Sequence, residues 1–285
     1  MFGFLNVNKP SGMTSHKVIS VLRKITGVKQ IGHAGTLDPL ASGVLPVAIG
    51  KAAKLIDYLD EDKEYIALMQ LGQISDTYDV EGNVENTAFR KINIEEIQQA
   101  LKNFRGDIIQ IPPAYSAVHY NGKRLYELAR KGTIPDDIPS RKITVFKNEI
   151  VFFDYEKQML KLDIACSKGT YIRSVIHDLG QTLGSGAVMY ELTRTKSASM
   201  KIENSIELSE GMTKGDIKNN LVRPEDILSM PFVEINPADF ERVKNGNKFV
   251  NIYNVNGFVI LTNENNPIAL ALAAKDFIQP KKLLI

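Results

Sequence analysis

The stretch GHAGTLDPLASG, residues 32–43, holds the single acidic residue of the first 54 positions, Asp38. Seven cations share that segment: Lys9, Lys17, Arg23, Lys24, Lys29, Lys51 and Lys54. The glycines permit a tight loop, and Asp38-Pro39 matches a helix N-cap followed by proline at the first helical position. Gly43 and Pro46 would stop such a helix within about a turn, so the cap would serve little helix. A phosphate loop is the second reading, and it fails. That motif places four residues between its first glycine and Gly-Lys-Ser/Thr, whereas six separate Gly43 from Gly50-Lys51, and Ala52 stands at the hydroxyl position. On these residues alone, a capped turn and a short loop presenting one carboxylate in basic surroundings both stay open.

The chain around it has 285 residues, 44% hydrophobic and 24% charged, which suits one large domain or a large and a small one. Its net charge is only +2, but the distribution is uneven. The basic first segment is followed by the acidic DYLDEDKE (57–64), and a second basic stretch, HYNGKRLYELARKG (119–132), lies near the middle. Such asymmetry fits local phosphate binding, and on charge alone it fits solvated lysine faces equally. The lone cysteine, Cys166, excludes an internal disulfide and a thiolate zinc cluster and reads as a small buried residue. His16, His33, His119 and His177 lack metal-ligand spacing, so no metal is expected. No apolar run reaches bilayer length, and the N-terminus lacks the pattern of a secretory leader. A reducing, cytoplasmic setting is the expectation.

Periodicity organises the rest. SGMTSHKVISVLRKITG (11–27) predicts a helix capped by Thr14 or Ser15, with Val18, Ile19, Leu22 and Ile25 inward and Gly27 at its end. EYIALMQLG (64–72) is apolar on both faces and predicts an inner strand. NIEEIQQALKNFRG (93–106) predicts a helix with Asn93 and Glu96 at capping-box spacing and Ile94, Ile97, Leu101 and Phe104 along one face. The proline-flanked segment 111–146 reads as an excursion from the core containing a short basic helix. From Lys142 to Gly184 the pattern predicts two strands joined by a polar turn, overlapping the end of that excursion, then a helix from about Thr170 with Ile172, Val175, Ile176, Leu179 and Leu183 buried. Prolines within 221–237 suit a domain boundary near Met230. Beyond it, Asn245-Gly246 and Asn256-Gly257 are hairpin signals in a small β module. Strands and helices without a regular βαβ rhythm indicate an α+β fold.

A catalytic carboxylate needs a partner, and Arg173 is the candidate. It lies off its helix's apolar stripe and in the first turn, where the macrodipole disfavours a cation. A nearby anion would explain it, either a carboxylate or an RNA phosphate; a surface arginine pairing with Asp178 or water is the plain alternative. Pairing would keep the aspartate ionised at neutral pH.

Five blocks then carry a resemblance: LNVNKPSGMTSHKV, GHAGTLDPLASGVLPVAIGKAAKL, EYIALMQLGQISDTYDVEG, IPPAYSAVHYNGKRLYELARKG and CSKGTYIRSVIHDLG. In this order they closely resemble the bacterial TruB family, the tRNA pseudouridine-55 synthases. The resemblance implies a catalytic domain over residues 1–230, with a large mixed, mainly antiparallel sheet flanked by helices and a basic RNA-clamping insertion at about 119–147. Residues 231–285, through the short match VKNGNKF, are similar to a small PUA-type β-barrel module that binds RNA. The implied activity is isomerisation of the uridine at position 55 in the tRNA T loop, by base flipping and an aspartate-dependent rearrangement of the glycosidic bond. No cofactor is implied, since the reaction conserves composition and oxidation state. An additional tRNA-folding role is compatible with it. The implied partner is the tRNA T stem-loop, with no membrane, no obligatory protein partner and a monomeric state.

Matching residue by residue, Asp38 stands at the nucleophile, Tyr65 at the tyrosine that stacks on the target base, and Arg173 at the arginine that pairs with the aspartate. Tyr171 and Leu192 correspond to pocket residues, His33 to a histidine engaging the loop that releases the uridine, and Asp79 to an aspartate ordering the site. Lys9, Lys123, Arg124, Arg130 and Lys131 are the phosphate candidates. On the residues alone, Tyr65 and Tyr171 read equally well as packing aromatics. Two other classes stay open on the sequence: an RNA-binding protein without chemistry, and a glycoside hydrolase, which would want two flanking carboxylates. The motif supplies one, and a neighbouring acid would repel phosphates and oppose ionisation of the first. A lysine at Arg173 is expected to fail because a point charge cannot reproduce a bidentate fork.

Overall fold

The computed structural model describes residues 1–60 and 62–285; Glu61, in the acidic stretch, lies outside the described residues. The chain opens with β1 (Gly3–Lys9), α1 (Ser15–Thr26), β2 (Ile31–His33) and β3 (Ser42–Ile49). A 3-10 segment (Gly50–Tyr58) leads to β4 (Lys63–Leu71), the paired strands β5 (Gln73–Ser75) and β6 (Val84–Asn86), and α2 (Ile94–Leu101). After β7 (Gly106–Gln110) come β8 (His119–Tyr120), β9 (Lys123–Arg124) and α3 (Leu125–Ala129). The chain returns through β10 (Arg141–Asp154), β11 (Met159–Cys166), α4 (Ile172–Thr182), β12 (Ala187–Ser197), β13 (Met200–Lys201) and α5 (Lys214–Asn219). It ends in β14 (Phe232–Glu234), α6 (Pro237–Lys244), β15 (Phe249–Val250), β16 (Gly257–Asn263), β17 (Asn266–Ala273) and β18 (Phe277–Leu283).

Local chemistry explains the helix ends. The Thr14 hydroxyl accepts the Lys17 N–H at 3.1 Å, and Gly27, at φ +71°, closes α1 by donating to the Arg23 carbonyl at 2.9 Å. Asn93 and Glu96 form the expected reciprocal box. Ile97, Leu101 and Phe104 are buried, but Ile94 is exposed. Helical side chains tilt toward the N-terminus, and at the first helical position that direction leaves the packed surface.

Nine strands form the main sheet, in the order β1-β3-β12-β4-β11-β10-β7, with β2 on β3 and β13 on β12. β4 is an inner strand, hydrogen-bonded to β11 and β12. Every pairing is antiparallel except β3 with β12, which run parallel through Ser42↔Thr193 and Gly43↔Arg194. The apolar run of β3 has a simple cause. Leu45 and Val47 join the core beneath α1, while Val44 and Ala48 face a second core that includes Ile260, Leu270 and Leu284 of the C-terminal sheet. Both faces of the strand are covered, so period-2 alternation has no polar side to show.

Two expectations shift, the end of the excursion and the place of the C-terminal hairpin, while the PUA-like C-terminal sheet is as expected. The excursion closes at Arg141: residues 141–147, expected within it, belong to β10, which pairs with β7 and β11. The C-terminal five-stranded sheet, β14-β16-β17-β18-β15, is a curled open sheet of the PUA-like kind. Its tight hairpin is not at either Asn-Gly pair. Asn245-Gly246 ends α6, and Gly257 starts β16. The turn between β16 and β17 is instead Glu264-Asn265, both at positive φ, and the Glu234 carboxylate accepts both of their N–H groups. Among the described residues, no helix is long and apolar enough to cross a membrane.

Candidate active site

Asp38 sits on the loop between β2 and β3, in a turn rather than at a helix cap: the Ala41 N–H donates to the Asp38 carbonyl at 3.1 Å, with Pro39 at the second turn position. The buried side chains of Leu37 and Ala41 anchor it on either side. The segment after β1 braces the turn. Gly12 N–H donates to Pro39 O at 2.8 Å, the Ser11 hydroxyl donates to Leu40 O at 2.7 Å, and the Ser15 hydroxyl accepts the Leu37 N–H at 2.9 Å. Lys9 completes this brace. Its ammonium donates to the carbonyls of Pro10, Met13 and Pro39. The residue is 0% exposed, and burial pushes its pKa down to about 8. Lys9 is therefore corrected from phosphate candidate to internal strut of the aspartate turn.

Arg173 lies in the first turn of α4 with its side chain 6% exposed, and its Nε stands 2.9 Å from Asp38 Oδ2. The N–H is not aimed along that line, so the contact is a charge pair rather than an aligned hydrogen bond. The other nitrogens are committed elsewhere. Nη1 donates to Thr77 O at 3.0 Å and stands 3.5 Å from Asp79 Oδ2, and Nη2 donates to Tyr115 O at 3.1 Å. The expected bidentate fork on Asp38 is thus corrected to a guanidinium shared among four residues. The surroundings are also richer in acids than the linear sequence indicates. Asp79 is buried, accepting from the Thr77 hydroxyl at 2.6 Å and the Glu81 N–H at 3.0 Å. Burial, then Asp79 and Asp38, raise the pKa of Glu81.

Tyr65 occupies β4 opposite Arg194 of β12 and Ile164 of β11, a mount fixed on both edges. Burial raises the pKa of its hydroxyl, with Arg194 pulling the other way. Sequence reasoning missed Arg194, which is almost wholly buried: its Nε donates to Val44 O at 2.6 Å and its Nη2 to Gly35 O at 2.9 Å. One side chain thus joins the aspartate loop, β3 and the tyrosine. The available signal was an arginine in the inward register of LTRTKS, two positions after Leu192. Gly43 makes the β3–β12 approach possible. At φ +98° it has no Cβ, which would otherwise lie 2.2 Å from the Arg194 carbonyl oxygen. Gln110, also missed, is buried and holds Tyr171 at the start of α4, accepting its N–H at 2.8 Å and donating to its carbonyl at 3.0 Å.

Asp38, Tyr65, Tyr171, Arg173 and Leu192 line one cavity of about 680 Å³, and Arg124 and Arg130 reach it from the excursion. That volume is in the range of small-ligand sites. His33 is half-buried just before the first lining residue, Ala34, and burial lowers its pKa. Asp79 lies behind Arg173 and outside the lining. Lys123 and Lys131 are exposed on the excursion and also outside it. Cys166 is buried, its thiol pushed up to about 11 by desolvation, which suits packing rather than chemistry. Among the described residues, no three His, Cys, Asp or Glu side chains converge as metal ligands.

A carboxylate paired to a buried arginine, beside an aromatic mount in one cavity of this α+β sheet, is the arrangement expected of a pseudouridine synthase. Comparison with known proteins agrees. The family model described as TruB family pseudouridylate synthase (N terminal domain) matches residues 23–172, and the chain belongs to that family. It is 40% identical to "tRNA pseudouridine synthase B" of Clostridium tetani over 100% of both chains. The protein of the same name from Syntrophomonas wolfei is 44% identical, over 86% of this chain and 84% of the other. Among solved structures, a Cbf5-Nop10-Gar1 complex contains a similar chain, with TM-score 0.73 and 28% identity over 100% of this chain and 85% of that one.

Proposed function

We propose that this protein converts the uridine at position 55 in the tRNA T loop to pseudouridine. The relatives named tRNA pseudouridine synthase B support the substrate. The observation that carries the chemistry is the 2.9 Å pair of Asp38 and Arg173 in the cavity that Tyr65 lines. The C1′–N1 bond breaks, C1′ is joined to C5, the C5 proton leaves, and N1 takes up a proton; nothing is oxidised or added. Attack by Asp38 at C6, attack at C1′ and removal of a sugar proton all require an ionised carboxylate in a fixed orientation. The turn and the Arg173 charge pair fix that orientation.

Reaching the base requires flipping it, at a cost of a few kcal/mol. Stacking on Tyr65 returns about 1–3 kcal/mol, with Tyr171 and Leu192 completing the pocket. His33 engages the loop that releases the base, and Asp79 orders the site through Arg173. Lys123, Arg124, Arg130 and Lys131 grip phosphates, and phosphate contacts position RNA without reading its sequence. In this reading residues 1–230 are the catalytic domain and 231–285 a short RNA-binding module. The protein acts as a monomer in the cytoplasm, on the T stem-loop, without an obligatory protein partner. The exposed placement of Lys123 and Lys131 outside the cavity favours an additional, chemistry-independent grip on tRNA during folding.

The test is an unmodified tRNA transcript incubated with the purified protein, labelled with carbodiimide and read by primer extension. The expected result is a stop next to position 55 that disappears when that uridine is replaced by cytidine. No stop in the uridine transcript would overturn the assignment.

A further inference from the structure

Arg173 and His177 are four positions apart on α4 and share one face. Each touches the loop between β5 and β6, at successive residues. Arg173 Nη1 donates to the Thr77 carbonyl, and the His177 ring lies flat on Tyr78, centroids 3.8 Å apart and planes 15° from parallel. Tyr78 has φ +66°, a left-handed conformation uncommon for a bulky residue. Such residues persist where their surroundings over-determine them. Here the main chain is held on both sides of Asp79: Met189 N–H donates to Tyr78 O and Val80 N–H donates to Met189 O, each at 3.1 Å. His177 Nδ1 is buried with no hydrogen-bond partner among the described residues. Its ring is therefore held by its face rather than by that edge.

We propose that the Tyr78–His177 stack is a positioning device that holds the 75–82 loop in register on α4 and so fixes how Arg173 is divided between Asp79 and Asp38. Without the stack, the Met189 hydrogen bonds still flank Asp79 but nothing presses the Tyr78 end of the loop onto α4; the Thr77 carbonyl shifts off Nη1, and the division of the guanidinium between Asp79 and Asp38 is no longer fixed. The exposed cations of the excursion are untouched, so RNA affinity persists. The defect falls on kcat and leaves KM in place. Tyr78 and His177 are positioning residues; neither lines the cavity.

This inference rests on the isomerase reading, and a wild-type control separates the two, since failure of that reading leaves every form inactive. On an unmodified T-arm transcript, Tyr78→Gly and His177→Ala are expected to lower kcat about ten- to a hundredfold, as ångström-scale misplacement does, with KM little changed. The glycine variant is the sharper one. Glycine adopts positive φ freely, so the backbone relaxes while the ring disappears. Tyr78→Phe and His177→Phe keep two flat faces and should restore most of kcat. Thermal midpoints of the same preparations report folding. Wild-type kcat in Tyr78→Gly or His177→Ala would overturn the proposal, as would phenylalanine variants as impaired as the truncations. Should the truncations fail to fold, Tyr78→Leu and His177→Leu fill the space without a flat ring. Wild-type kcat in those would equally overturn it, and a kcat loss restored by phenylalanine would support it.

Discussion

At the floor of the cleft, Arg173 is buried and its nitrogens face Asp38, Asp79 and the carbonyls of Thr77 and Tyr115. At the rim, Lys123 and Arg124 stand exposed on a two-residue strand and Arg130 and Lys131 in the turn after a short helix, with Arg130 lying over the Tyr126 ring. The floor is assembled from several distant strands and loops, whereas the rim comes from one excursion. A charge fixed from several directions can orient a reacting group. A charge on a flexible stem can follow a phosphate backbone. In the proposed function this contrast divides chemistry at the floor from grip at the rim, and mutations can test that division.

The largest effect is expected from Asp38→Asn: loss of conversion by on the order of a thousandfold or more, as for removal of a nucleophile. Filter binding of tRNA should stay within a few-fold; full activity would remove Asp38 from its role. Next is Arg173→Lys, which retains the charge but not its several directions and should cost about a hundredfold in kcat. A wild-type rate would show that charge alone suffices. Gly43→Ala tests the frame. Its Cβ would meet the Arg194 carbonyl oxygen at 2.2 Å in a left-handed backbone, so urea unfolding should report a loss of about 2–4 kcal/mol. At the rim, Lys123→Ala with Lys131→Ala should weaken binding and lower the salt slope by roughly one per lysine, with kcat unchanged. A fall in kcat there would blur the floor–rim division.

The smallest effect concerns pH. Burial lowers the pKa of His33 and of His177 below 6.5. As pH falls through that value the unfolded chain takes up protons that the folded chain does not, so stability is full above it and declines below. The thermal midpoint should drift down by a degree or two between pH 7.5 and 6, about what a fraction of a kcal/mol produces. His177→Phe should reduce the drift; an unchanged drift would exclude His177 as its source.

Features governed by neighbours in sequence were readable before the structure. The Thr14 and Asn93 caps, the stripe of α1 and the inner strand β4 all follow from spacing. Asp38 and Arg173 were legible because each sits where local physics would not place it, one without a helix to cap and the other against a macrodipole. Lys9 was misread because its carbonyl partners include Pro39, 30 positions away, and a basic segment looks solvated until those oxygens are assembled. The Asn-Gly signals misled because a left-handed glycine serves a helix end as readily as a hairpin. The turn that does form, Glu264-Asn265, depends on a carboxylate 30 positions earlier. Asp79 and Glu81 gather near Asp38 through tertiary contacts, so the isolation of the aspartate is a property of the chain alone.

The parallel contact between β3 and β12 also governs when the enzyme becomes an enzyme. It joins Ser42 to Thr193, 151 positions apart, and Arg194 reaches back 150 positions to Val44 and 159 to Gly35. During synthesis the loop bearing Asp38 emerges early, and its last brace emerges much later. Pairings so far apart in sequence pay their loop-closure entropy before any contact repays it, and they form slowly. A nascent chain that stops short of Arg194 therefore carries Asp38 without the strand that holds its loop. The brace on the Asp38 loop is complete only once the chain has extended past Arg194 and closed the sheet across its middle.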